Sequence, residues 1–295
     1  MVRNGEKLYF PVKESVLSIL PLVDEFVVAL GDSDADDKTR ELLLSIPSDK
    51  IKIYDRVWSQ ESYVDGRIFA EETTFALSKC TGDWCFYLQA DEVIHEKDFG
   101  TIRTACQQEL TNPQVDGLLF KYYHFWGDYQ HYLPFHGWYK NEIRIVKNHR
   151  GIYSYKDAQS FRKGNDEKLQ VKELDAHIYH YGWVRPPRYM QSKKKEQESM
   201  HHGVEHARQA QALQPDEYDF GALGAIPVFK GSHPQVMQEF MARMDWKEKL
   251  NYTGKADLNR PKLKHEKLKY RIITFLENTL NGGRDFVGYS NWKKV

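Results

Sequence analysis

The chain has 295 residues, 41% of them hydrophobic, enough to bury a sizeable core in one large domain or two of ordinary size. Lysine plus arginine equals aspartate plus glutamate at 42 each, so no global field argues for nucleic acid as a partner, and charge must act through local clusters. No run approaches the roughly 18 apolar residues of a membrane span, and no signal-like apolar stretch follows Met1-Val2-Arg3-Asn4, so the expected compartment is the cytoplasm.

In chain order, Val12, Val16, Ile19 and Leu20 mark one face of a short helix that Pro21 stops. Glu25 to Leu30 reads as a buried strand. A polar loop, Gly31-Asp32-Ser33-Asp34-Ala35-Asp36-Asp37, leads into a helix over Thr39 to Ile46, and Lys50 to Tyr54 reads as the next strand. Phe69, Thr73, Ala76, Leu77 and Cys80 recur at helical spacing ahead of the run Gly82 to Glu92. Asp98 is placed to cap a helix whose face is Phe99, Ile102, Cys106 and Leu110. This alternation is the signature of βαβ units and a largely parallel sheet. A doubly wound sheet normally begins with a strand, however, and here only Met1 and Val2 stand before the first helix. The first strand is therefore expected to be truncated.

From Asp116 onward the pattern is strand-like, in Gly117 to His124, Glu142 to Lys147 and Asp175 to Trp183. Pro186-Pro187 then marks a boundary between a first domain, 1–185, and a mainly helical extension, 186–295, expected to pack on it. Helices are expected over Arg188 to Leu213 and Pro234 to Lys249. Cys80, Cys85 and Cys106 are an odd number in apolar stretches without metal-type spacing, and read as reduced core residues. The aromatic residues concentrate between Tyr122 and Tyr189, interleaved with His, Arg and Asp as in the wall of a ligand cleft.

The most informative run is Gly82-Asp83-Trp84-Cys85-Phe86-Tyr87-Leu88-Gln89-Ala90-Asp91-Glu92, an apolar segment that ends in two adjacent carboxylates. It reads as a buried strand that brings Asp91 and Glu92 to the edge of a sheet, where open α/β sheets bind ligands and where paired acids suit a divalent cation, Mn²⁺ or Mg²⁺. A strand followed by two solvated surface acids has the same pattern.

Together, the acidic loop after Leu30, the arginine of Gly66-Arg67-Ile68-Phe69-Ala70 and the Gln89-Ala90-Asp91-Glu92 turn make the chain resemble the family-2 glycosyltransferases of GT-A fold, over roughly residues 3 to 185. The resemblance implies a Rossmann-like mixed sheet flanked by helices. It also implies inverting transfer of a sugar from a UDP-, GDP- or dTDP-linked donor to a hydroxyl acceptor, on a glycan or a lipid carrier. By the same resemblance Asp32 and Asp34, with Asp55 behind them, contact the nucleotide, Arg67 opens the helix that follows, and Asp91 with Glu92 binds the metal. Gln89 stands where the family has the first acid of this turn, which leaves Asp91 most of the metal work. The family's general base maps to Asp157 in Tyr155-Lys156-Asp157-Ala158-Gln159, with Glu142 as second choice. A structural carboxylate paired with Arg144 or Arg162 is the alternative for either. In Asp175 to Trp183, His180 matches a histidine that serves the metal or the diphosphate.

Arg185 and Arg188 could clamp phosphate oxygens, or lie in a solvated linker. His201 with Glu205, and His202 with His206, have the spacing of two ligands on one helix face, as does any solvated helix. Lys262 to Arg271, beside Ile272-Ile273-Thr274-Phe275-Leu276, fits either an anionic membrane surface or a helix packed on the domain with its lysines outward. Two other functions share parts of this pattern. A nucleotidyltransferase would ordinarily carry a Gly-rich basic loop after its first strand, and Asn4-Gly5-Glu6 substitutes poorly. A catalytically degenerate nucleotide-sugar-binding protein is suggested by Gln89.

Overall fold

A computed structural model of the chain describes residues 1–211, 214–255, 260–286 and 290–295. Val12, Val16 and Ile19 are buried along one side of α1 (Val12–Ile19), as their spacing requires. The next apolar run forms β1 (Phe26–Leu30). After the acidic loop come α2 (Thr39–Leu44) and β2 (Ile51–Asp55), which pairs parallel with β1. α3 (Arg67–Ser78), β3 (Trp84–Phe86), β4 (Glu92–Ile94) and α4 (Phe99–Glu109) complete this half. Asp98 does not cap α4 through its side chain; its carboxylate accepts a hydrogen bond from the His177 amide.

The strand-rich part supplies β5 (Gly117–Trp126), β6 (Asn141–Lys147), the antiparallel trio β7 (Ile152–Tyr155), β8 (Ser160–Lys163) and β9 (Glu167–Lys168), and the long β10 (Gln170–Trp183). The main sheet runs β11-β10-β5-β6-β3, where β11 is Lys293–Lys294, and β4 adds to β10. β10 is parallel to β5 and β11, whereas β6 is antiparallel to both β5 and β3. The architecture is mixed α/β with a mixed sheet.

The sheet is divided where a single one was expected. β1 and β2 stand as their own pair, and between β1 and β3 lies a cavity of about 460 Å³ lined by Val27, Val28, Cys85 and Phe86. Val2 enters this interval by an isolated parallel bridge to Leu30; its amide donates to the Ala29 carbonyl at 3.0 Å. Thr73, Ala76 and Leu77 of α3, and Cys80 just after it, face the same cavity, so a side expected to be buried leaves three of these four half-exposed.

Beyond Pro186, α5 (Pro187–His202) breaks at Gly203, where φ is 85°, and α6 (Val204–Gln211) follows. Leu213, the expected helix end, lies outside the described residues. No continuous helix spans 234–249: α7 (Gln238–Met241) has four residues, flanked by tight turns. Met237, Phe240, Trp246 and Leu250 all pack inward, and one straight helix would spread them over about half of its circumference, with Trp246 on the side away from Met237. These four join Phe125, Trp126 and Tyr181 in a shared core, so the extension packs on the first part of the chain but is less helical than expected. α8 (Leu268–Leu280) is the last helix among the described residues.

Candidate active site

The run from Trp84 buries Cys85 and Leu88, then turns at Gln89-Ala90-Asp91 before Glu92 opens β4. Both acids are buried, which excludes the solvated reading. Their surroundings differ, because consecutive residues point to opposite sides of an extended chain. Glu92 takes two parallel bonds from Arg144, Nε to Oε2 at 2.9 Å and Nη2 to Oε1 at 2.8 Å, and a third from the Tyr122 hydroxyl at 2.8 Å. With its oxygens so engaged, Glu92 is absent from the cavity wall and is not placed as a metal ligand; it anchors Arg144. The side chain of Gln89 donates to the Tyr87 hydroxyl.

Asp91 faces a cavity of about 370 Å³ together with His180, Lys193, Glu142 and Asp157. Its Oδ2 lies 3.0 Å from Lys193 Nζ and 3.7 Å from His180 Nε2. Burial opposes ionisation of Asp91, but the charges of Lys193, His180 and Arg185 outweigh it and hold the carboxyl well below the ordinary range. Burial in turn draws the Lys193 ammonium down to about 8, against the pull of Asp91.

The tautomer of His180 follows from its neighbour. His124 Nε2 lies 2.7 Å from the Tyr139 carbonyl, which only an N–H can satisfy, and burial, with His180 beside it, keeps His124 neutral, its pKa down at about 3. His124 Nδ1 is therefore an acceptor, and the 2.9 Å contact between the two Nδ1 atoms is donated by His180. With Nδ1 so committed, as in a histidine ligand whose other nitrogen is fixed by a hydrogen bond, Nε2 is the ring nitrogen that His180 presents toward Asp91, 3.7 Å away. A Cβ on Gly182 would stand 2.5 Å from that nitrogen and 2.7 Å from Asp91 Oδ2, so the absence of a side chain there keeps the space open. If this space takes a divalent ion or diphosphate, Gly182→Ala is expected to lower the affinity for Mn²⁺ or inorganic diphosphate by about tenfold or more. Titration calorimetry measures this, with circular dichroism confirming the fold.

The two candidate bases line the same cavity. Glu142 and Arg144, two residues apart on β6, share a face. Glu142 is buried, its Oε2 has no hydrogen-bond partner, and burial reinforced by Glu92 and Asp157 raises its pKa to about 8 against the effect of Arg144. Asp157 sits between Lys156 and Ala158, both in left-handed backbone at φ 56° and 59°. A Cβ on Gly66 would come within 2.7 Å of both Asp157 Cβ and the His201 ring, so glycine permits this close approach of the start of α3.

The other expected contacts disperse. Asp32 accepts the Trp58 amide at 3.0 Å, and Asp34 pairs with Lys7 and Arg3; neither lines the cavity, although Trp58 and Arg3 do. Asp55 is exposed and paired with Arg40. Arg67 pairs with Glu71 along an open groove that shares Asp157 and His201 with the cavity. Arg185 is buried, donating to the Leu8 and Gly182 carbonyls, so it is not part of a solvated linker, and it does not line the cavity; Arg188 is exposed.

Sequence reasoning missed Arg3, Trp58, Lys193 and Glu196. Trp58 lines the cavity and holds a buried Nε1 without a partner. Lys193 carried a usable signal: it falls between Met190 and Met200 at helical spacing, on the buried stripe of α5. Of the helical histidine pairs only His201 reaches the cavity. The group of three potential ligands found among the described residues is elsewhere, at His136, Glu277 and Asp285. Lys140 Nζ stands 3.1 Å from Glu277 and 2.7 Å from Asp285, so a lysine already occupies the space between the two carboxylates. No protein-family model and no curated protein matches the chain.

Proposed function

We propose that the chain is an inverting glycosyltransferase that uses a nucleoside-diphosphate sugar, with the 370 Å³ cavity as its active site. One observation carries the reading: a cation-seeking pole, Asp91 with His180 and Lys193, and a buried carboxyl, Glu142, with Asp157 beside it, face one enclosure. A divalent ion at Asp91 and His180 would offset the charge that develops on the leaving diphosphate. The acceptor oxygen attacks the anomeric carbon, the carbon–oxygen bond to the diphosphate breaks, and the proton passes to Glu142 or Asp157. Trp58 offers a face to a base, and Arg3 a guanidinium to phosphate or ribose.

Lys193 favours one variant of this reading, in which its ammonium supplies the positive charge without a metal. The two forms separate in a single set of assays. Turnover of UDP-, GDP- and dTDP-sugars is measured with Mn²⁺, with Mg²⁺ and with chelator, for wild type, Asp91→Ala and Lys193→Met. Metal-dependent turnover lost in Asp91→Ala supports the metal form. Turnover that survives chelator but falls about 10²–10³-fold in Lys193→Met supports the lysine form. If none of the three nucleoside diphosphates raises the melting temperature and no donor turns over, the proposal fails.

A further inference from the structure

α8 is amphipathic in the inverted sense. The stripe it turns to the protein is Tyr270, Ile273, Thr274 and Glu277, two of them polar and fully engaged. Thr274 Oγ1 accepts the His136 amide, and Glu277 takes His136 Nδ1 at 2.8 Å and Lys140 at 3.1 Å. The opposite face holds Leu268 at 70% exposure, Phe275 at 67% and Leu280 at 70%, with Ile272 and Leu276 between them. An outward arc of five large apolar side chains on one 13-residue helix is a surface that water does not favour. The helix thus packs on the domain with its lysines outward, as one reading of the sequence has it, but its large apolar side chains face outward as well.

Charge identifies what covers it. Residues 260–286 contain seven Lys or Arg and three Asp or Glu, in a chain whose totals are equal at 42 each. All three acids are held by the protein itself: Glu266 by Arg260, and Glu277 and Asp285 by Lys140. The basic surplus, including Lys267, Lys269 and Arg271, flanks the apolar arc. We propose that this face of α8 docks in the plane of an anionic lipid bilayer, apolar side chains in the acyl boundary and basic side chains at the headgroups. No helix among the described residues is long and apolar enough to cross a membrane, so the contact is peripheral. The loop that grips α8 through His136 and Lys140 also carries Trp138 and Tyr139, which line the cavity. Docking thus sets one wall of the cavity beside the membrane.

The test is co-sedimentation of the full chain with vesicles of phosphatidylcholine alone and of phosphatidylcholine containing phosphatidylglycerol. Binding to the anionic vesicles, weakened by salt, is expected. The double variant Leu268→Gln with Phe275→Gln should partition about tenfold more weakly while keeping its melting temperature. Leu44→Gln, at another exposed leucine, should leave partition unchanged. Failure to bind anionic vesicles, or equal binding to neutral ones, overturns the proposal. So does a dimer in sedimentation velocity that the double variant dissociates without any vesicle binding, since the face would then belong to a second copy.

Discussion

Arg144→Met is expected to lower the free energy of unfolding by about 3–5 kcal/mol, the range for removing one partner of a buried ion pair. The guanidinium is almost wholly enclosed and the Glu92 carboxylate wholly so, with side-chain exposures of 2% and 0%. Arg144 makes the paired bonds to Glu92, gives Nη1 to the Ile143 carbonyl at 3.0 Å, and lies 5.0 Å and 5.3 Å over the Tyr87 and Tyr122 rings. Methionine matches much of the volume but leaves Glu92 with only the Tyr122 hydroxyl and the Gln89 amide. A carboxylate so placed must take up a proton or draw in water. The double variant Arg144→Met with Glu92→Leu should recover most of the loss, because a well-packed apolar pair is often as stable as the ion pair it replaces. Urea unfolding measures both, and a loss under about 1 kcal/mol in the single variant would mean that the pair is hydrated.

The contrast between Asp91 and Glu92 shows which parts of the site a sequence can disclose. The apolar run and its abrupt end are local, so the turn and its position were legible. The assignment of Glu92 was not, because its partner lies 52 residues later. Lys193 is 102 residues from Asp91, and its run of three lysines suggests a solvated face until the Met190–Met200 stripe is read first. Asp55 and Arg67 were chosen from their order after a strand and at a helix start. Order does not determine aim, and nearby counter-charges on Arg40 and Glu71 turn both away from the cavity. The mixed α/β alternation was legible from periodicity over the first 110 residues. The fragmentation of 234–249 was not, since four inward side chains at non-helical spacing acquire meaning only against a core already formed.

Glu142→Gln is expected to act in opposite directions on activity and stability. The folded protein holds this carboxyl at about 8, above its ordinary value of 4.5, so the folded state binds the extra proton between those pH values. The stabilisation of the protonated form is complete below about pH 4.5 and is lost as pH rises through about 8. At pH 9 the wild type carries an ionised, buried carboxylate whose Oε2 has no partner, and that same ionised form is the one able to accept a proton from an acceptor hydroxyl. The amide removes the charge at all pH values. The variant should therefore melt higher than wild type at pH 9, with the gap closing as pH falls toward about 4, where the carboxyl is protonated in the folded chain and mostly so in the unfolded one. If Glu142 is the base, wild-type transfer rises with pH toward a plateau above about 8, and Glu142→Gln loses about 10²–10⁴-fold in kcat with donor binding retained. Asp157→Asn is the control that assigns the role. Should Glu142→Gln keep its transfer rate while Asp157→Asn loses it, the base is Asp157, and the buried charge of Glu142 serves only to tune the electrostatics of the shared cavity.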